Sequence, residues 1–270
     1  MAHIDASFLE INSLDALSRQ DTAIHRVDPR AKVLTALIFV VAVVSVDKYE
    51  VSGLLPFVLY PVVLIALGNL PPGHLLRKIL IAAPFAVFIG IFNPLLDRAV
   101  LVQMGPLGIS GGWISFASIL VRFALTVSAA LILVATTGFD GVCAALERMR
   151  VPRVFVVQLL FLYRYLFVLV EEASRLSRAR SLRSFDGKGM GLTVFSSMIG
   201  QLLLRSFDRA QRIHRAMLCR GFDGEIRTVR ALRFRAADLG FLLSWTLLFI
   251  AMRLSNIPAM IGGAITELAK

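Results

Sequence analysis

Long apolar runs separated by short polar links dominate this chain. A membrane-crossing helix needs about 20 mostly apolar residues. On that measure hydropathy predicts spans at about 32–46, 51–70, 79–96, 113–137 and 236–254. The first run is short and is expected to begin earlier. Two further apolar runs, 154–170 and 192–204, could be spans as well; taken as a pair they leave the orientation of everything else unchanged. The predicted fold class is an all-α polytopic membrane protein with five to seven membrane helices and a cytoplasmic helical domain inserted before the last span.

Where the pattern is mixed, its period is helical. Near the start, Ile4, Phe8, Ile11 and Leu14 recur at helical spacing among Asp5, Glu10 and Asp15, which predicts an amphipathic segment on the membrane surface rather than a cleaved signal. Asp28-Pro29 reads as an N-cap followed by proline at the first helical position, with Arg30 and Lys32 as anchors. Pro56, Pro61, Pro84 and Asn93-Pro94 remove intrahelical bonds and predict kinks in the second and third spans. Arg122 falls inside the fourth span, where an unpaired charge costs at least ~2.5 kcal/mol. No intramembrane carboxylate stands nearby in sequence to complete a relay, so a structural hydrogen bond to backbone carbonyls and a place on a substrate pathway both stay open, and the sequence names no partner. From 202 to 220, Arg205, Arg209, Arg212 and Arg220 gather on one helical side and Leu203, Phe207, Ala210, Ile213 and Met217 on the other.

Composition fits this picture: the chain of 270 residues is 57% hydrophobic, and its mean hydropathy is +0.76. The formal net charge of +11 changes the picture through its distribution. Residues 138–235 hold 18 Arg/Lys against 8 Asp/Glu, so nearly all the excess lies in one tract, which the positive-inside rule puts in the cytoplasm. Alternation then puts the N-terminus inside, the 47–50 link outside, the 71–78 link inside and the near-neutral 97–112 loop outside. Four segments follow: 1–31 N-terminal amphipathic, 32–137 membrane helices, 138–235 basic cytoplasmic helices, and 236–270 the last span with its tail. Cys143 and Cys219 stand in or beside the basic tract, which argues against a disulfide framework. No phosphate-loop spacing, metal-ligand cluster or nucleophile–base arrangement occurs, so no cofactor, metal or catalytic residue is expected.

The basic tract repeats itself. Residues 178–187 and 215–224 share Arg-Ala, three variable residues, Arg, a small residue, then Phe-Asp-Gly. Each copy carries its arginine, Arg183 or Arg220, at a predicted helix end where the dipole favours cations. An arginine beside an aromatic suits docking into a groove of carboxylates and apolar side chains. Two basic amphipathic helices lying on anionic lipid, or gripping nucleic acid, are the alternatives, and neither needs Phe-Asp-Gly twice.

Asp28-Pro29-Arg30-Ala31-Lys32, the paired motifs and the order of spans together resemble the transmembrane component of energy-coupling factor (ECF) importers, most closely the cobalt-transport branch called CbiQ. In that family each motif reads Ala-Arg-Gly at a helix end that docks on an ATPase. The second copy here is Cys219-Arg220-Gly221 and the first Leu182-Arg183-Ser184; Ala179-Arg180-Ser181 is an alternative register. The resemblance implies a non-catalytic scaffold in the bacterial inner membrane. It implies two CbiO-like ABC ATPase subunits docked at Arg183 (or Arg180) and Arg220, Phe185 and Phe222 packing, Ser184 and Gly221 at the glycine position of the motif, and Ala179 and Ala216 allowing close approach. It further implies a membrane S component, CbiM-like and possibly with a CbiN-like subunit, that captures the substrate. Cobalt is the expected substrate, with nickel or a vitamin such as biotin as alternatives, and no nucleic-acid partner.

Overall fold

A computed structural model describes residues 17–47, 49–96, 100–104, 107–183, 191–224 and 234–254. The predicted amphipathic segment at Ile4–Leu14 lies outside the described residues, as do Ser184 and Phe185. The described chain falls into two compact units, residues 143–231 and residues 14–142 with 232–270.

The second unit is a bundle of α1 (Pro29–Val44), a 3-10 helix (Ser52–Val58) running into α2 (Leu59–Leu67), α3 (Pro72–Gly90), α4 (Phe92–Leu96), α5 (Gly111–Thr137) and α9 (Ala236–Leu254). The helix α5 is its axis, packing against α1, α2, α3 and α4. Its buried positions are mostly small: Gly111, Gly112, Ser115, Ser118, Ser128, Ala129 and Ala135. Small residues let helix backbones approach where no hydrophobic effect drives them together. Gly90 of α3 faces this stripe so closely that an added Cβ would stand 2.8 Å from the Phe116 ring. Two buried threonine hydroxyls are satisfied within their own helices: Thr35 donates to Ala31 O at 2.7 Å and Thr136 to Ile132 O at 2.8 Å. In the same core, Phe39 stacks on Tyr60 at 4.4 Å and meets Phe249 at 5.3 Å, with Trp245 edge-on to Tyr60 at 5.0 Å. This aromatic core locks α1, α2 and α9 together.

Polar contacts hold α1 at both ends. At its start Asp28 accepts from Arg30 N at 2.9 Å, as its sequence position requires. The backbone N–H of Asp28 donates to Asp238 Oδ1 at 2.9 Å, and Asp238 Oδ2 accepts from Arg235 N at 2.7 Å. Lys32 Nζ donates to Thr136 O, the last turn of α5, at 2.9 Å. Asp28, Lys32 and Asp238 are each no more than 5% exposed, so these partners are what makes their burial tolerable. At the far end Arg122 Nη2 donates to Val46 O at 2.6 Å and Arg253 Nη2 to Ser45 O at 3.1 Å. Carboxylates at the N-terminus and guanidinium groups at the C-terminus both complement the α1 dipole. These contacts also give directions: α9 runs parallel to α1, and α5 runs antiparallel to both.

Several sequence expectations are refined. The first span begins at Pro29. The second is a 3-10 turn containing Pro56 followed by a short α-helix with Pro61, not one helix. The third passes through Pro84 and breaks at Ile91, ahead of Asn93-Pro94; Asn93 then ties back to Ser115 Oγ at 2.9 Å. The loop expected between the third and fourth spans contains a two-stranded antiparallel hairpin, β1 (Val100–Met104) and β2 (Leu107–Ser110). Arg122 stands well inside α5 by residue count, yet it meets the end of the shorter α1, which places its charge at that helix's terminus rather than midway along it.

The first unit holds α7 (Arg153–Arg183) and α8 (Leu192–Cys219); α6 (Phe139–Arg148) leads into it. Four helices, Pro72–Pro94, Gly111–Thr137, α7 and α9, are long and apolar enough to cross a membrane, and 52–67 is a shorter apolar helical stretch. The protein is an all-α multi-pass membrane protein.

Candidate functional site

The described part of the first motif copy, 178–183, ends α7, and the second, 215–224, runs off the end of α8. Glu172 of α7 accepts from Arg209 Nη2 at 2.6 Å and Arg205 Nη1 at 3.4 Å, both on α8. Toward the end of α7, Ala179 and Arg183 share a cleft with Gln201. Toward its start, Phe161 and Leu162 share an apolar groove with Ile213 and Met217. Position on α8 falls as position on α7 rises, so the helices are antiparallel. Their C-terminal ends therefore point apart. At 1.5 Å per residue from the Glu172 contact, Arg183 and Arg220 are separated by roughly 25–40 Å, depending on the crossing angle.

This arrangement follows from the sequence in part. Glu171 and Arg175 form the expected i, i+4 pair at 2.9 Å. The faces of α8 differ in part from the sequence expectation. Its half-buried stripe is Leu202, Ser206, Arg209, Ile213 and Met217, whereas Leu203 and Phe207 are exposed. Glu172 draws Arg209 into the interface beside Ile213 and Met217, which pack as expected, while Arg205, Arg212 and Arg220 stay exposed. Glu172 is the residue that sequence reasoning missed. A second carboxylate beside Glu171, on the opposite helical edge from its i, i+4 pair, is the one signal that marked it.

The end of α8 is a complete Schellman motif. Gly221 N donates to Leu218 O and Phe222 N to Met217 O, each at 3.0 Å, with Gly221 at φ +79°. Glycine is favoured there because an L side chain pays for the left-handed conformation. Arg220 is the cap residue itself and is exposed, as are Ala216 and Gly221, while Phe222 is half-buried. The end of α7 presents Arg183 as its last residue, exposed, beside exposed Ala179. Arg180, the alternative docking arginine, is half-buried, with its Nε hidden and unbonded among the described residues. By accessibility Arg183 is the structural counterpart of Arg220. The two motifs are thus not brought together: each forms a separate basic tip.

Comparison with known proteins identifies the family. A profile of the CbiQ family, described as a cobalt transport protein, matches residues 20–230. The Cobalt transport protein CbiQ of Rhodobacter capsulatus is 31% identical over 134 residues, covering 48% of this chain and 55% of that protein. The Energy-coupling factor transporter transmembrane protein EcfT of Ruminiclostridium cellulolyticum is 26% identical over 235 residues, covering 81% of this chain and 87% of that one. A putative fused cobalt transport protein, CbiMQ, of Methanocorpusculum labreanum is 31% identical over 90 residues, covering 33% of this chain and 15% of the fusion. The chain belongs to the CbiQ family and is a transmembrane component of an energy-coupling factor transporter.

Proposed function

We propose that this chain is the non-catalytic scaffold of a cobalt importer, coupling two cytoplasmic ATPase subunits to a separate substrate-capturing membrane subunit. The observation that carries this reading is the placement of two like, exposed, arginine-tipped helix ends at opposite extremes of one antiparallel pair. Two equivalent ATPases that close on each other would move such tips relative to one another, and the α7–α8 pair would turn that motion into a change of crossing angle. Arg183 and Arg220 supply directed donors to acidic groove residues, and Phe222 supplies apolar area next to one of them.

The parallel course of α1 and α9 fits a topology in which both start on the same, cytoplasmic, side. The pairing of α7 also bears on its location. Its apolar half, around Phe161 and Leu162, lies against the half of α8 that carries Arg209 and His214. Those groups would be costly in hydrocarbon. This favours α7 and α8 as a cytoplasmic pair at the membrane boundary, despite the length and apolarity of α7. The exposed stripe of Leu192, Phe195, Ile199, Leu203 and Phe207 on α8 fits the membrane subunit or lipid. The family description and the fused CbiMQ relative support cobalt and a CbiM-like partner.

The test is co-purification of the tagged chain with co-expressed ATPases, in wild type, Arg183→Glu, Arg220→Glu and the charge-matched Arg230→Glu. Loss with the two motif variants alone supports the reading. Equal retention or equal loss across all three sinks it. Accumulation of radioactive cobalt against nickel in cells expressing the whole set then decides the metal.

A further inference from the structure

Between the last third of α7 and the middle of α8 lies a cleft of about 380 Å³ lined by Glu172, Arg175, Leu176, Ala179, Arg183, Gln201, Arg205 and Arg209. Four guanidinium groups meet a single lining carboxylate there. That carboxylate is committed, since Glu172 already accepts from both Arg205 and Arg209. Arg175, also in the lining, pairs with the exposed Glu171. Arg183 has no ion-pair partner among the described residues, and Arg209 Nη1 is hidden from solvent with no acceptor. Like charges held this close repel, and a concealed guanidinium N–H without an acceptor is an open donor. Positive charge therefore exceeds negative in the lining of the cleft.

We propose that it binds an anionic phosphate group, either the head group of an acidic phospholipid or a soluble phosphate. Guanidinium groups match phosphate through directed, paired donors, and Gln201 adds an amide donor at the rim. Leu176 in the wall, with exposed Leu203 and Leu204 on the adjoining turn of α8, offers an apolar surface for an acyl chain. Such a ligand would clamp the α7–α8 crossing beside Glu172 and hold Arg183 in place. This goes beyond the docking reading and shares one residue with it, Arg183. The test therefore uses Arg175 and Arg205, which docking does not need.

The full-length chain in neutral detergent is titrated with short-chain phosphatidylglycerol, short-chain phosphatidylcholine or inorganic phosphate. Thermal unfolding and native mass spectrometry are the readouts. Wild type is compared with Arg175→Gln/Arg205→Gln and with Arg212→Glu, which changes the charge by the same two units on an exposed turn outside the cleft. Phosphatidylglycerol is expected to bind wild type and Arg212→Glu alike and the double variant at least about tenfold more weakly. The zwitterionic lipid should have no such effect. If inorganic phosphate reproduces the variant dependence, the source is soluble phosphate; if only phosphatidylglycerol does, it is lipid. An equal response of the double variant and wild type, or no response in any, overturns the site. Loss of ATPase capture by the double variant without any phosphate effect overturns it too and assigns the cleft to an acidic protein segment.

Discussion

The backbone N–H of Asp28 donates to the carboxylate of Asp238 across 210 residues of sequence, at 2.9 Å and with both residues buried. The same carboxylate receives the N–H of Arg235 through its other oxygen. One side chain thus caps the start of the last membrane helix while fixing the start of the first.

Replacing Asp238 with alanine leaves two N–H groups without acceptors, so destabilisation of about 2–4 kcal/mol is expected. Asp238→Asn keeps one carbonyl acceptor and should lose roughly half as much. Denaturation of the purified chain in detergent measures both. An alanine variant as stable as wild type would show that water replaces the carboxylate there.

Arg122 and Arg253 grip adjacent carbonyls at the end of α1, Val46 and Ser45. Arg122→Leu should cost about 1–3 kcal/mol. Exposed Arg253→Leu alone should stay within about 0.5 kcal/mol. Because either arginine can hold the terminus against fraying, the double variant should exceed the sum by at least about 0.5 kcal/mol. A strictly additive cycle would mean that the two grips act independently.

Gly221 permits the turn that leaves Arg220 as an exposed tip. Gly221→Ala forces a Cβ into the left-handed region, at about 1–2 kcal/mol, and should loosen the last turn of α8. Capture of ATPase subunits should weaken although Arg220 is intact, while Gly224→Ala, beyond the helix, has less effect. Unchanged capture by Gly221→Ala would separate the cap from docking.

His25 precedes α1; its ring bonds Thr22 Oγ1 at 2.7 Å and Leu17 O at 3.1 Å. Burial, followed by the nearby Lys32 charge, holds its pKa below the ordinary 6.5. The unfolded chain then binds the proton more readily than the folded one. The contribution is present above about pH 6.5 and is lost as pH falls from there toward the lowered folded value. His25→Gln should flatten the pH dependence of the melting midpoint between about 7.5 and 5.5. Parallel slopes in variant and wild type would remove His25 from that dependence.

Much of this was legible in the sequence where the physics is local. Asp28-Pro29 starts a helix because cap and proline act within four residues, Gly221 ends one because only its own φ is at stake, and Glu171–Arg175 meet because helical pitch brings them together. Local period was right only in part on α8. Ile213 and Met217 pack as their hydrophobicity requires, but Glu172, more than thirty residues away, draws Arg209 in among them while Leu203 and Phe207 stay exposed. The hairpin at 100–110 was missed for a related reason: strands this short carry little periodic signal.

By itself, then, the sequence determined that the chain lives in a bilayer, that a helix starts at Asp28-Pro29 and another stops at Gly221, and that it carries two arginine-tipped motifs. Those properties depend on transfer free energy and backbone geometry over a few residues. Only the tertiary structure decided that Asp238 and Lys32 bind the start of α1, that the Arg122 charge rests on a helix end, and that Arg183 and Arg220 face apart. Each of these depends on which buried polar group finds which partner, and a buried group is satisfied by whatever the fold brings near it, at any distance along the chain.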